Sequence, residues 1–330
     1  MSSTSLTTGR SWRPSLPRRH VPVLATLALL LVMYGIGVSQ YRAFSNVQVV
    51  FNVFIDNGFL LVVAVGMTFV ILTGGIDLSV GSVVAMTAMV SAALLRDGLP
   101  AALVLVIALL IGPTLGFLMG CAIHFFEIQP FIVTLAGMFF ARGMCTFISD
   151  ASISITDGFW TSMSQQRIGD PAGNFVSISV LIAFAVVLIA AYVLAYTRFG
   201  RNVYAVGGNA QSALLMGLPV ARTRIAVYTI SGLCSAIGGI LLSFYTLSGA
   251  PLIAVGMELD VIAAVVIGGT VLTGGSGYVF GTVLGVLVLG VIQTLITFDG
   301  SLNSWWTKIV IGGLLFAFIL LQRLIGIRFK

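Results

Sequence analysis

Asp77 is the residue whose type and setting point most directly to chemistry. It stands in the stretch Leu72-Thr73-Gly74-Gly75-Ile76-Asp77-Leu78-Ser79-Val80-Gly81-Ser82-Val83, between two apolar runs. An ionisable group at membrane depth is a functional candidate by default. Its carboxylate can accept hydrogen bonds from the hydroxyls of a polar solute, and Thr73, Ser79 and Ser82 add hydroxyls nearby. A structural role fits Asp77 as well, because a carboxylate at the start of a helix opening at Leu78 or Ser79 would cap its free N–H groups. Gln293 and Thr294 lie in a later apolar run. They face a similar choice between a solute pathway and a hydrogen bond to a neighbouring helix.

The Asp77 stretch returns as Leu272-Thr273-Gly274-Gly275-Ser276-Gly277-Tyr278-Val279-Phe280-Gly281-Thr282-Val283, with six of twelve positions identical and no gap. The second copy carries Gly277 where the first carries Asp77. Each copy follows one apolar run and precedes another. The pattern predicts a broken helix used twice, the device by which transporters bring backbone polar groups to a central pathway. A pair of tight turns between helices is the alternative. Two breaks separated by six full spans imply parallel repeats, whereas a re-entrant break would change the span count.

Elements that could position such breaks are set by composition. The chain is 58% hydrophobic and 8% charged, with a mean hydropathy of +1.12. A soluble domain carries about 25% charged residues, so lipid must cover this surface. A spanning helix takes about 20 apolar residues. The expectation is an all-α polytopic membrane protein of about ten transmembrane helices, with two Gly-Gly-broken segments in repeated halves. The candidate spans are 22–38, 54–73, 79–95, 99–122, 131–149, 175–197, 225–247, 259–273, 278–297 and 305–322. The membrane domain thus covers 22–322, flanked by tails at 1–21 and 323–330. The first run is read as a retained anchor, since no small-residue cleavage site precedes a soluble domain.

With ten crossings and a cytoplasmic N-terminus, 11 of the 16 basic residues fall on the inner side, including Arg198, Arg201, Arg222, Arg224 and Arg323. That agrees with the positive-inside rule and makes both termini cytoplasmic. The basic residues are scattered over helix ends, which speaks against nucleic-acid binding. No catalytic residue, cofactor or metal site is expected. Neither lysine lies in a phosphate-binding loop, and His20 and His124 are far apart without a zinc-protease motif. Cys121, Cys145 and Cys234 have no ligand spacing and read as packing residues. Gly112, Gly116 and Gly120, like Gly281 and Gly285, follow the small-xxx-small pattern of closely packed helices. Pro113 is expected to bend the same fourth span.

The inner loop at about 198–224 holds a short helix. Asn209 suits an N-cap and Gly217 a C′ position, with Pro219 beyond. The helix over Ala210, Ser212, Ala213 and Met216 is too short to persist alone in water. Its exposed Leu and Met residues suit a docking surface, and an interfacial loop helix lying on the membrane is the other reading.

This loop resembles the one by which binding-protein-dependent ABC importer permeases meet their ATPase. The stretch from Gly66 to Ser82 is similar to the signature of the ribose, arabinose and xylose branch. Phe131–Met138 and Glu258–Thr270 match as well, over a resemblance running from about 44 to 322. Phe298-Asp299-Gly300 and Ser304-Trp305-Trp306-Thr307-Lys308 look most like the second permease of the galactofuranose importer, a subfamily that pairs two different permeases. The resemblance implies inward monosaccharide transport across a bacterial inner membrane. Its partners would be cytoplasmic ATP-binding subunits, a second and different permease chain, a periplasmic sugar-binding protein and membrane lipid. It also implies that the Ala210–Met216 helix transmits the motion of the ATPase. Thr73, Asp77, Ser79 and Gln293 are the candidate pathway residues. Glu258 and Asp260 read as helix caps or binding-protein contacts, and Trp305, Trp306 and Lys308 as interfacial anchors. A stand-alone ion-coupled secondary transporter is the alternative, although only Asp56 and Asp77 offer it carboxylates at depth.

Overall fold

In lipid every backbone N–H and C=O must be paired within the chain, so long apolar runs become helices. The computed structural model describes residues 21–169, 173–300 and 304–327. The expected tail 1–21 lies outside these apart from Val21, as do residues 328–330 of the expected tail 323–330.

The helices are α1 (Val21–Gln40), α2 (Val47–Leu72), α3 (Val80–Arg96), α4 (Ala101–Phe125), α5 (Pro130–Ile148), α6 (Gly158–Gln165), α7 (Ile178–Tyr196), α8 (Arg198–Gly208), α9 (Ala210–Leu215), α10 (Val220–Thr246), α11 (Met257–Ile267), α12 (Val279–Asp299) and α13 (Ser304–Ile327). Seven of them, α1, α2, α4, α5, α7, α10 and α12, are long and apolar enough to cross a membrane. The Val80–Arg96 helix and the Trp305–Leu320 stretch of α13 are shorter apolar helices, and α11 has 11 residues. The protein is therefore an all-α polytopic membrane protein, with seven candidate spans among the described residues.

Helices α2, α10 and α12 form the centre. In their most apolar windows 83%, 67% and 67% of residues are buried, against 11% for α1 and 17% for α5, which lie at the rim. The glycine stripes find the partners expected of them. Gly112 packs against Gly232, Gly116 against Tyr228, and Gly120 against Ile225, all on α10. Gly281 and Gly285 of α12 meet Gly268 and Ala264 in the same way. Helix α4 continues through Pro113.

Two short antiparallel ribbons lie at one end of the bundle. β1 (Ile153–Ser154) pairs with β4 (Ser248–Gly249), and β2 (Arg167–Gly169) with β3 (Phe175–Ser177). Trp160 of α6 is fully buried and donates from Nε1 to Ser243 Oγ at 2.9 Å, pinning this ribbon end to α10. At the opposite end lie α8, α9 and both glycine breaks.

Several boundaries differ from the expected spans. The eighth span, expected over 259–273, stops at Ile267, because Gly268 and Gly269 end it before the repeated motif begins. Gly269 takes φ +92°, open to a residue without Cβ. Helix α2 begins at Val47 instead of 54, because Asn46 Oδ1 accepts from Gln48 N at 2.9 Å and caps it. Residues 175–177, expected as helix, form β3 because they pair with β2. Arg142, inside the expected span 131–149, lies towards the ribbon end of α5 and donates to the Pro251 and Ile253 carbonyls, each at 2.8 Å.

Candidate functional site

The chain leaves helical geometry between Leu72 and Val80, and Gly74 turns it at φ +79°. Asp77 organises the entry into α3. Its Oδ1 accepts from the Ser79 N–H at 3.0 Å and the Ser79 hydroxyl at 2.6 Å, and its Oδ2 accepts from the Ser231 hydroxyl of α10 at 2.7 Å. Asp77 is 0% and Ser79 1% exposed. The carboxylate thus satisfies a free amide at the head of α3 and ties that head to α10. Ser82 turns inward and donates to the Ser79 carbonyl at 2.7 Å.

The second break, between α11 and α12, lies against the first. Gly275 N–H donates to the Leu72 carbonyl at 2.9 Å, so one copy of the repeat supplies a partner for a helix-end carbonyl of the other. Thr68 and Thr282 share a buried hydrogen bond at 2.7 Å just above this junction. Both breaks lie at the same end of the bundle.

A polar cleft of about 650 Å³ opens near the ribbon end between α2, α10, α12 and α13. Asn52, Asp56, Tyr245, Gln293, Thr294 and Lys308 line it. Tyr245 donates to Asp56 Oδ1 at 3.1 Å, and Lys308 donates to Asp260 Oδ2 at 2.5 Å beside it. A smaller cavity of about 270 Å³ shares Asp56, Asn57 and Gln293 and extends the cleft towards α11. Amide, phenol and ammonium donors alternate here with carboxylate and hydroxyl acceptors, a lining suited to a solute that both gives and takes hydrogen bonds. At the other end, Thr73 and Gly74 border a cleft of about 700 Å³ with Arg224 and Tyr228 of α10 and Gln211 of α9.

The α9 helix is built as its sequence predicts, except that Met216 is its C-cap and not its last turn. Asn209 Oδ1 accepts from Ser212 N at 2.7 Å. Gly217, at φ +75°, and Leu218 return their N–H groups to the Leu214 and Ala213 carbonyls, closing the C-terminus as a Schellman motif. Ala213 is buried against Val206 and Val220, which fastens α9 to α8 and α10. Leu214, Leu215 and Met216 are left exposed.

A sequence profile described as branched-chain amino acid transport system / permease component matches residues 49–319. The chain belongs to this permease family. It is 47% identical to the inner membrane ABC transporter permease protein YjfF of Escherichia coli K12, over 93% of each chain. It is 42% identical to the fructose import permease protein FruG of Bifidobacterium longum, over 93% of this chain and 92% of that one. With the ribose import permease protein RbsC of Escherichia coli K12 the identity is 36%, over 86% and 88%. No solved structure matches the chain. The permease is a translocation subunit and not an enzyme, and the alternative of a stand-alone ion-coupled transporter gives way to this family.

The four candidate pathway residues of the permease do not come together. Gln293 lines the ribbon-end cleft, Thr73 the opposite one, and Asp77 and Ser79 are sealed between them. Thr294 returns its hydroxyl to the Gly290 carbonyl of its own helix at 2.8 Å while still bordering the cleft. Glu258 and Asp260 sit in the first turn of α11, where acidic residues complement the helix dipole. Lys308 is paired with Asp260, and Trp305 and Trp306 are exposed at the start of α13.

Two features escaped sequence reasoning. Asn52, Asn57 and Tyr245 enter the cleft only through helix packing. Helix α8 was hidden in a polar stretch, although Thr197 caps it and Phe199, Val203 and Val206 recur at helical spacing.

Proposed function

We propose that this permease forms the translocation path of a binding-protein-dependent ABC importer that carries a monosaccharide inward across a bacterial inner membrane. The observation that carries the reading is the pairing of a polar cleft at one end of the bundle with an exposed, capped apolar helix at the other. The cleft offers donors and acceptors to a neutral polyhydroxyl solute handed over from the periplasm. Helix α9 offers Leu214, Leu215 and Met216 to cytoplasmic ATP-binding subunits. In this arrangement the break end faces the cytoplasm, both termini lie there, and α3, α11 and α13 complete ten crossings.

The curated relatives support a sugar, since their names specify fructose, ribose and, at 32% identity, D-allose. Galactofuranose is the sugar we assign, on the resemblance of Phe298-Asp299-Gly300 and Trp305-Trp306-Thr307-Lys308 to the second permease of that importer. That assignment brings a second, different permease chain as partner, with a periplasmic sugar-binding protein and membrane lipid.

Purification of the chain from its native membrane in mild detergent, with mass spectrometry of its partners, tests the assembly. An ATPase recovered together with a different permease is the expected result. An ATPase alone would replace the heterodimer by a homodimer, and neither partner would overturn the importer. Uptake of radiolabelled galactose, ribose and fructose by the reconstituted complex, against a galactofuranose competitor, then separates the sugars.

A further inference from the structure

Three pieces of backbone meet at the break end: the first break, the second break and the C-terminus of α8. A Cβ placed on Gly207 would overlap the Leu72 carbonyl oxygen and lie 2.6 Å from Gly275 N, the two atoms of the hydrogen bond that joins the breaks. Gly275 in turn is tightly placed, since a Cβ there would stand 3.0 Å from Gly208 Cα. Tyr204, one turn back on α8, donates its hydroxyl to the Gly277 carbonyl of the second break at 2.9 Å. Phe199 of α8 stacks on Phe69 of α2 at 6.3 Å between ring centroids. Helix α8 therefore grips both repeats along its length.

It is also stiffly joined to α9. Asn209 alone separates them, closing α8 by its N–H to Ala205 O at 3.2 Å and opening α9 through its side chain. Val206, Ala213 and Val220 form a small core across the joint. The joint thus ties α9 to the end of α8, where Gly207 lies directly against both breaks.

We infer that Gly207 and Tyr204 are the positioning residues through which α9 moves the two glycine breaks together, so that α8 and not α9 alone is the coupling element. This rests on the importer reading of the chain. The signal would travel through contiguous packed backbone and hydrogen bonds, the medium that carries coupling between distant sites.

The neighbouring glycine supplies an internal control. A Cβ on Gly208 meets nothing within 4 Å, whereas one on Gly207 has nowhere to go. The experiment compares Gly207→Ala, Gly208→Ala and Tyr204→Phe in the complete complex in proteoliposomes. It measures ATP hydrolysis and uptake of radiolabelled galactose, ribose or fructose, whichever the wild type carries. Gly208→Ala is expected to keep the wild-type ratio of sugar moved to ATP hydrolysed. Gly207→Ala is expected to lose most transport while still binding the ATPase and hydrolysing ATP. If that variant fails to assemble, Tyr204→Phe decides. It removes one hydrogen bond without adding an atom, and the ratio should fall about fivefold, the size of one net hydrogen bond. A wild-type ratio in Tyr204→Phe, or in an assembled Gly207→Ala, overturns the inference and leaves the importer standing. Uptake by the wild type that needs no ATP overturns the importer itself.

Discussion

Replacing Asp77 by alanine strips three buried donors of their acceptor. They are the Ser79 N–H at 3.0 Å, the Ser79 hydroxyl at 2.6 Å and the Ser231 hydroxyl at 2.7 Å. Loss of a side-chain acceptor at a helix entry, like loss of an N-cap, costs about 1 kcal/mol. Each buried donor left unpaired costs about 1–3 kcal/mol. The Ser231 hydroxyl can turn back to a carbonyl of its own helix, as Ser235 does to Ser231 O at 2.9 Å. Counting the lost cap and the stranded Ser79 hydroxyl gives roughly 3 kcal/mol. Asp77→Asn keeps the Oδ1 acceptor and should cost about 1 kcal/mol, and Ser231→Ala a similar amount. The expected order of stability is wild type, then Asp77→Asn and Ser231→Ala together, then Asp77→Ala. Thermal melting of the detergent-purified complex reads it, alongside the amount of chain in the membrane. The Asp77→Ala/Ser231→Ala double variant should lose less than the sum of the two, because both remove the same bond. If Asp77→Ala melts like the wild type and only uptake is lost, the capping argument is refuted and Asp77 becomes a solute contact. If neither changes, both roles fail.

The remaining predictions concern packing, cleft and arm. Gly112→Val should abolish assembly, since its Cβ would overlap the Gly232 carbonyl, while Gly143→Ala, with nothing within 4 Å, should be silent in the same melting assay. Gln293→Ala or Asp56→Asn should lower uptake about tenfold or more if two hydrogen bonds to the solute are lost, with little change in melting temperature. Normal uptake in both variants would remove the ribbon-end cleft from the pathway. Leu215→Glu, on a residue 81% exposed, should leave the melt intact and prevent the ATPase from co-purifying. Retention of the ATPase would argue against α9 as its docking surface.

What was legible in the sequence was local. The repeated Thr-Gly-Gly, the glycine stripes and the caps of α9 each announce themselves within a few residues, because φ > 0, close backbone approach and free N–H groups demand particular residue types. The ends of α2 and α11 were less legible: hydropathy does not see the Asn46 cap, and it runs through Gly268–Gly269 without a pause. What could not be read was which distant residues meet. Nothing in the neighbourhood of Ser231 marks it as the partner of Asp77, and Asn57 and Tyr245 look like ordinary helix residues until packing turns them to one cleft. The same limit explains why the candidate pathway residues scatter. Thr73, Asp77, Ser79 and Gln293 share polarity within apolar runs, and a helix bundle has two independent uses for such groups, satisfying its own backbone and facing a cavity.

The bond from Gly275 to the Leu72 carbonyl has a consequence for how the protein is made. About two hundred residues separate its ends. At a synthesis rate of about 5–20 residues per second, the ribosome delivers the second partner roughly 10–40 s after the first. Through that interval α2 already exists, with the carbonyl at its end awaiting a mate and the seam between the repeats open. Completion of the bundle is therefore a late event in biogenesis, signed off only when the second break emerges.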